Sequence, residues 1–276
     1  MNNNNNSIVV YGGFDDIRSS DIRFLHESSR SGFLHVLLWS DKLIREVTGS
    51  EPKFPEDERL YFLESLRFVH KVILVNKPLE SLDFSSIIDK LPLTLFIRQA
   101  NESSTIKTLC ENENIELRIL QNEDFDGFPE IIGTNPKENH NKKVIVTGCF
   151  DWFHSGHIRF FEEVSEMGDL YVVVGNDANV RALKGQDHPM FSEQERRYIV
   201  QSIRFVKQAY VSTGQGWLDA EPEIRKIKPD IYAVNEDGDR PEKQKYCQEN
   251  GIEYVVLKRL PKAGLPRRQS TIMRGF

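Results

Sequence analysis

Two histidines held three residues apart around a glycine, His154-Ser155-Gly156-His157, are the residues whose types and spacing carry the clearest chemistry in this chain. They close the stretch Gly148-Cys-Phe-Asp-Trp-Phe-His-Ser-Gly-His157, which follows a β-rich apolar run and opens an amphipathic one. At a helix start, two imidazoles join backbone N–H groups that have no intrahelical partner, and together they make a cradle for phosphate oxygens. Gly156 has no Cβ, so a nucleotide can approach the backbone closely there. The competing readings of the same residues are an HxxH pair binding zinc and helix-start histidines without a role. The place after a buried strand favours the cradle.

The elements that must position these residues follow from periodicity. Lys143 to Thr147 reads as a strand, and the helix after it runs from about Ser155 to Met167, ended by Gly168. Leu170 to Gly175 is a second buried strand and Ala178 to Lys184 a short helix stopped by Gly185. Ser192-Glu-Gln-Glu195 is a capping box that opens a helix to about Phe205. Then come a strand Lys207 to Ser212, a helix near Glu221 to Ile227, a strand Ile231 to Asn235, a helix from about Pro241 to Glu249 and a strand Glu253 to Leu257. This alternation implies a parallel sheet with helices on both faces, whose ligands gather at the carboxyl ends of the strands.

The chain also resembles itself. Gly12 to Glu27 aligns without a gap on Gly148 to Glu163, with about half of the positions identical. The register continues through Ser40-Asp41 on Asn176-Asp177, Glu58-Arg59 on Glu195-Arg196, and Cys110 on Cys247. The expected organisation is therefore α/β, two Rossmann-like, doubly wound parallel-sheet domains in tandem. Residues 1–7 read as a disordered tail, 8–132 as the first domain, 133–141 as a polar linker and 142–276 as the domain that carries the chemistry. In the first copy Arg18, Ser20 and Asp21 stand opposite His154, Gly156 and His157, and Thr48 stands opposite Lys184. That copy keeps a scaffold and has lost the chemistry.

The second copy resembles the HxGH nucleotidylyltransferases, most closely the cytidylyltransferases that activate phospho-alcohols. Beyond the signature, the resemblance extends through Asn176-Asp177, Lys184-Gly185, Glu195-Arg196, Trp217, Asp230 to Asp237 and Ser270-Thr271. It implies attack by a phosphate oxygen on the α-phosphorus of a nucleoside triphosphate, with pyrophosphate released and Mg2+ accompanying the nucleotide. By the same resemblance, His154, His157 and Lys184 are catalytic. Gly148, Cys149, Phe150, Gly156, Arg196, Arg268, Ser270 and Thr271 bind the nucleotide, and Asp151 faces the second substrate. The family's arginine five residues before the serine is Leu265 here; Arg267 or Arg268 can take its place from closer in, Arg268 being preferred as nearest the hydroxyls, and Arg259 is the choice if Leu260 to Pro266 is an insertion. Trp217 is expected to fill a core and stays outside the catalytic set.

Composition limits the alternatives. A net charge of −6 argues against a broad nucleic-acid footprint, and 39% hydrophobic with 28% charged residues is an ordinary globular balance. No apolar run approaches the roughly 20 residues of a membrane span. Three widely spaced cysteines without paired zinc spacing suit a reducing, cytoplasmic setting. CTP is the leading nucleotide, with a small phosphorylated alcohol or related phosphate or phosphonate as acceptor. The alternatives are adenylyl transfer from ATP to a sugar phosphate and a nucleotide-binding sensor without turnover. A metal hydrolase needs further ligands that the chain does not offer at metal spacing, so no protein-held metal is expected. The degenerate copy is read as a built-in partner for the other, an internal pseudo-dimer.

Overall fold

Runs such as Val144-Ile-Val146 and Ile8-Val-Val10, β-branched and apolar on both sides of the pleat, suit only strands with both faces covered. The computed structural model describes residues 6–88, 92–131 and 142–273, the side chains of Thr271 and Ile272 excepted. It divides into two units, Met1–Gly127 and Phe128–Phe276.

The first unit contains β1 (Ser7–Gly12), α1 (Ser19–Ser29), β2 (Phe33–Trp39), α2 (Asp41–Thr48), α3 (Glu56–Ser65), β3 (Val69–Val75), α4 (Phe84–Ile87), β4 (Leu93–Arg98), α5 (Ser104–Asn112) and β5 (Glu116–Leu120). The second contains β6 (Lys143–Gly148), α6 (Ser155–Ser165), β7 (Asp169–Val174), α7 (Asp177–Lys184), α8 (Glu193–Ser202), β8 (Val206–Val211), α9 (Glu221–Ile227), β9 (Ile231–Asn235), α10 (Pro241–Asn250), β10 (Glu253–Leu257) and α11 (Ser270–Met273). Among the described residues each unit has one five-stranded sheet, in the orders β3-β2-β1-β4-β5 and β8-β7-β6-β9-β10. The pairs are parallel, with Val144 opposite Leu170 on one side and Ile231 on the other. Both units are Rossmann-like, as their alternation of elements requires. The connections reverse direction on either side of the central strand, so a crevice opens above β6 and β9 in the second unit.

Burial holds the second unit together. Ile145, Val173, Tyr232 and Val234 pack under Ala220 and Ile224 of the α9 side and Cys247 of α10. Ile158, Phe161 and Val164 of α6 are fully buried, and each such side chain contributes about 1.5–3 kcal/mol.

Several expected boundaries move. The helix after the histidine turn ends at Ser165 rather than Met167, and α8 ends at Ser202 because Ile203 is extended and buried. Ser7, assigned to the tail, opens β1, fully buried with its N–H donated to Pro92 O. Residues 1–5 and the linker 133–141 lie outside the described residues. Phe128 to Ile131, expected in the first domain, fall in the second unit: the Phe128 ring lies 5.5 Å from that of Tyr198, and Glu130 pairs with Arg197 at 3.1 Å. Among the described residues no helix is long and apolar enough to cross a membrane.

Candidate active site

The turn after β6 is shaped by Phe150, which adopts the left-handed φ of 52° and buries its ring between His157 and Phe161. Gly148 is required for that packing, since a Cβ there would sit 2.8 Å from the ring. His154 then caps α6: its Nδ1 accepts the Gly156 N–H at 3.1 Å, and His157 Nδ1 accepts the His154 N–H at 3.3 Å. Two imidazoles thus perform the reciprocal capping usually left to Ser and Glu. Because both Nδ1 atoms accept, both protons sit on Nε2. The rings stack 4.0 Å apart, and His154 Nε2 is buried without a hydrogen-bond partner among the described residues.

Burial, Arg259 and Arg268 push the His154 pKa down to about 3. His157 is driven well below its ordinary value by burial, His154, Arg259 and Lys184. Both imidazoles are neutral donors. They are not arranged as metal ligands, since each Nδ1 lone pair is engaged and each Nε2 bears hydrogen. Among the described residues no three His, Cys, Asp or Glu side chains gather to hold a metal ion.

Beside the histidines a cavity of about 280 Å3 opens over the carboxyl ends of β6 and β9. Thr147, Phe150, Gly156, His157, Asn235, Asp237, Lys243, Arg259, Gln269 and Ser270 help to line it. The Ser270 hydroxyl donates to Trp152 O at 3.2 Å and so ties α11 to the histidine turn, whereas the Thr271 side chain lies outside the described residues. Arg259 pairs with Asp237 and donates to Arg268 O at 3.2 Å. Arg259 is therefore the arginine on the cavity wall, while the preferred Arg268 lines a narrower adjoining cleft, its charge reaching His154. Lys184 ends α7, exposed, close enough to lower the pKa of His157. It also opposes the upward push that burial gives the Cys149 thiol.

Three expectations are corrected, for Arg196, Asp151 and Trp217. Arg196, assigned to phosphates, is fully buried and spends its fork on the protein. It donates to Phe191 O at 2.9 Å, Cys149 O at 2.6 Å, Gly175 O at 2.7 Å and Asp177 Oδ1 at 2.7 Å. Asp151, assigned to the second substrate, uses Oδ1 to accept the Met190 and Phe191 N–H groups at 2.7 and 3.1 Å, which fixes the loop before α8. Gly156 stays on the cavity wall and has a second role, since an added Cβ would lie 2.9 Å from His154 Cε1. Trp217 is 53% exposed, turned outward beside Gly216, whose N–H and C=O are both bonded to the Asn179 carboxamide.

Sequence reasoning missed Thr147, Lys243 and Gln269 and took Asn235 and Asp237 only as part of a stretch. The last two stand at the end of β9 beside the crevice, and that position was a usable signal. For Lys243 there was none.

In the first unit the same place is filled. Asp21 caps α1 by accepting the Arg18 N–H at 2.9 Å, and Arg98, at the end of β4, pairs with Asp21 at 2.7 Å and donates to Ser20 O at 3.0 Å. Its guanidinium lies 5.1 and 5.2 Å from the Phe24 and Phe125 ring centres.

The second unit is thus a Rossmann-like α/β unit with an N–H-rich histidine turn at its switch point. Residues 145–261 match the family model described as cytidylyltransferase-like. The FAD synthase of Methanolacinia petrolearia is 37% identical over 120 residues, which are 42% of this chain and 77% of that protein. The FAD synthase of Ferroglobus placidus is 39% identical over 97 residues, 35% of this chain and 60% of that one. The bifunctional protein HldE of Helicobacter pylori strain Shi470 is 27% identical over 201 residues, 63% of this chain and 42% of that one. The chain therefore spans about 60% of the Ferroglobus relative and less than half of HldE. The chain belongs to the cytidylyltransferase-like family of HxGH nucleotidylyltransferases.

Proposed function

We propose that the second unit transfers a nucleoside monophosphate from a nucleoside triphosphate to a small phosphorylated acceptor. One observation carries this: a buried, unpartnered Nε2–H on His154 stacked on a second neutral imidazole that lines the cavity with Arg259. An acceptor phosphate oxygen, already anionic, attacks the α-phosphorus; the bond from that phosphorus to the bridging oxygen breaks, and pyrophosphate leaves with the electron pair. No proton has to be removed, so no general base is needed. Two neutral N–H donors and cations suit a transition state whose charge gathers on phosphoryl oxygens. Lys184 is read as reaching the α-phosphate and the attacking group, with Arg259, Arg268 and Ser270 on the remaining phosphate oxygens. Mg2+ enters as part of the nucleotide substrate, with phosphate oxygens and water as its main ligands.

CTP is the nucleotide favoured by the signature's resemblance to cytidylyltransferases. ATP has its own support, because the FAD synthases among the relatives are named for an adenine dinucleotide. The first unit is read as a non-catalytic copy that partners the second, in a reducing, cytoplasmic setting that suits the free Cys110, Cys149 and Cys247. The test is pyrophosphate release from Mg-CTP and Mg-ATP with phospho-alcohols and sugar phosphates. Release that fails in His157→Ala supports the proposal. Binding without release would make the protein a sensor, and absence of binding would leave the site a relic.

A further inference from the structure

We propose that Lys243 is a phosphate ligand of this cavity, approaching from α10 and holding an oxygen of the acceptor's phosphate. The inference rests on the nucleotidylyl-transfer reading for what that phosphate is. Its physical basis is a cation the fold does not need. Lys243 is the third residue of α10, where the helix dipole is already positive and Arg240 stands as the N-cap. Lys243 lines the same cavity as Thr147, His157 and Arg259. Burial lowers its pKa, the expected response of an ammonium withdrawn from water.

Its bonds inside the protein are weak. Nζ reaches Gly238 O only at 3.4 Å and lies 5.7 Å from the centre of the Tyr232 ring. The acids that bear on it are engaged elsewhere: Asp219 accepts the Ser212 hydroxyl at 2.6 Å, and Asp239 accepts the Tyr254 hydroxyl at 2.9 Å. Among the described residues Lys243 has no carboxylate partner. A half-buried ammonium with unused N–H groups, on a residue that lines a cavity, is matched by an anionic oxygen from outside.

The first unit supplies the contrast. In the register that sets Cys110 on Cys247, the counterpart is Ile106, likewise the third residue of its helix, packed on the apolar core. A helix at this place is served by an aliphatic side chain where the histidines are absent, so the lysine accompanies the cavity rather than the scaffold.

The test titrates inorganic phosphate by calorimetry into the full chain, alone and saturated with an α,β-methylene nucleoside triphosphate. Wild type is compared with Lys243→Ile, which copies the first unit, and with Lys243→Gln. Phosphate affinity is expected to fall at least about tenfold in both, with analogue affinity within about twofold. If instead the triphosphate weakens about tenfold while the nucleoside does not, Lys243 still holds a phosphate oxygen, and its source is the nucleotide. Unchanged affinities overturn the inference, as does equal weakening of the nucleoside, which would make Lys243 a base ligand. If wild type binds phosphate through Lys243 but no nucleotide, the function proposed above fails and this site stands.

Discussion

His154 and His157 each commit Nδ1 to a backbone N–H and carry hydrogen on Nε2, so they cannot accept a proton without undoing the cap of α6, and the role proposed for them is to donate to phosphoryl oxygens. Replacing either with Ala is expected to lower kcat by about 100- to 1,000-fold, the range for one preorganised oxyanion donor, in pyrophosphate-release assays. Their Cε1 proton resonances are expected to stay at neutral-imidazole positions from pH 8 to about pH 5 in the free protein, because burial holds both pKa values far below the ordinary value of about 6.5. A titration near neutrality would contradict the tautomers assigned above. The same shift sets a stability slope. With His154 at about 3 folded and about 6.5 unfolded, the unfolded chain binds the extra proton as pH falls. The contribution is complete above about 6.5 and is lost progressively toward pH 3, so melts between pH 8 and pH 4 should show Tm falling on acidification, less steeply in His154→Asn. Gly156→Ala should reproduce most of the kinetic loss of His154→Ala while leaving both histidines in place, because the new methyl displaces the His154 ring.

At the scale of elements, one hydrogen-bond pattern recurs in both units. Arg59 donates to Phe54 O, Gly13 O, Trp39 O and Asp41 Oδ1, as Arg196 does to Phe191 O, Cys149 O, Gly175 O and Asp177 Oδ1. Asp15 and Asp151 each accept two N–H groups of the loop leading into the arginine's helix. Since the first unit has the pattern without the histidines, it braces the sheet ends and is independent of phosphate. Arg196→Ala should cost at least about 3 kcal/mol in denaturant unfolding, by stranding buried carbonyls and Asp177. Arg196→Lys should recover little, since an ammonium cannot span the directions of a planar five-donor fork. The strands and helices were legible residue by residue because periodicity and caps are local. The role of Arg196 was not, because an exposed helical arginine and a buried one look alike until the neighbouring strand ends are in place.

For the whole molecule, the expected stoichiometry is one nucleotide per chain. The first unit's equivalent position holds the Arg98–Asp21 pair in place of two N–H donors, so neither the cation nor a histidine N–H is left there for a triphosphate. Calorimetry giving two equivalent sites would contradict this. The sequence by itself determined the alternation of elements, the sheet class, the histidine turn and the absence of such a turn at Arg18 to Asp21, since each depends on patterns within a few residues. Only the tertiary structure decided which side chains share the cavity. It placed Arg259 rather than Arg268 on the wall, withdrew Arg196 and Asp151 into the scaffold, turned Trp217 outward and brought in Lys243 from α10. Those outcomes depend on which strand ends and loops meet across the sheet, and on whether a polar group finds its partner inside the protein or is left facing a cavity.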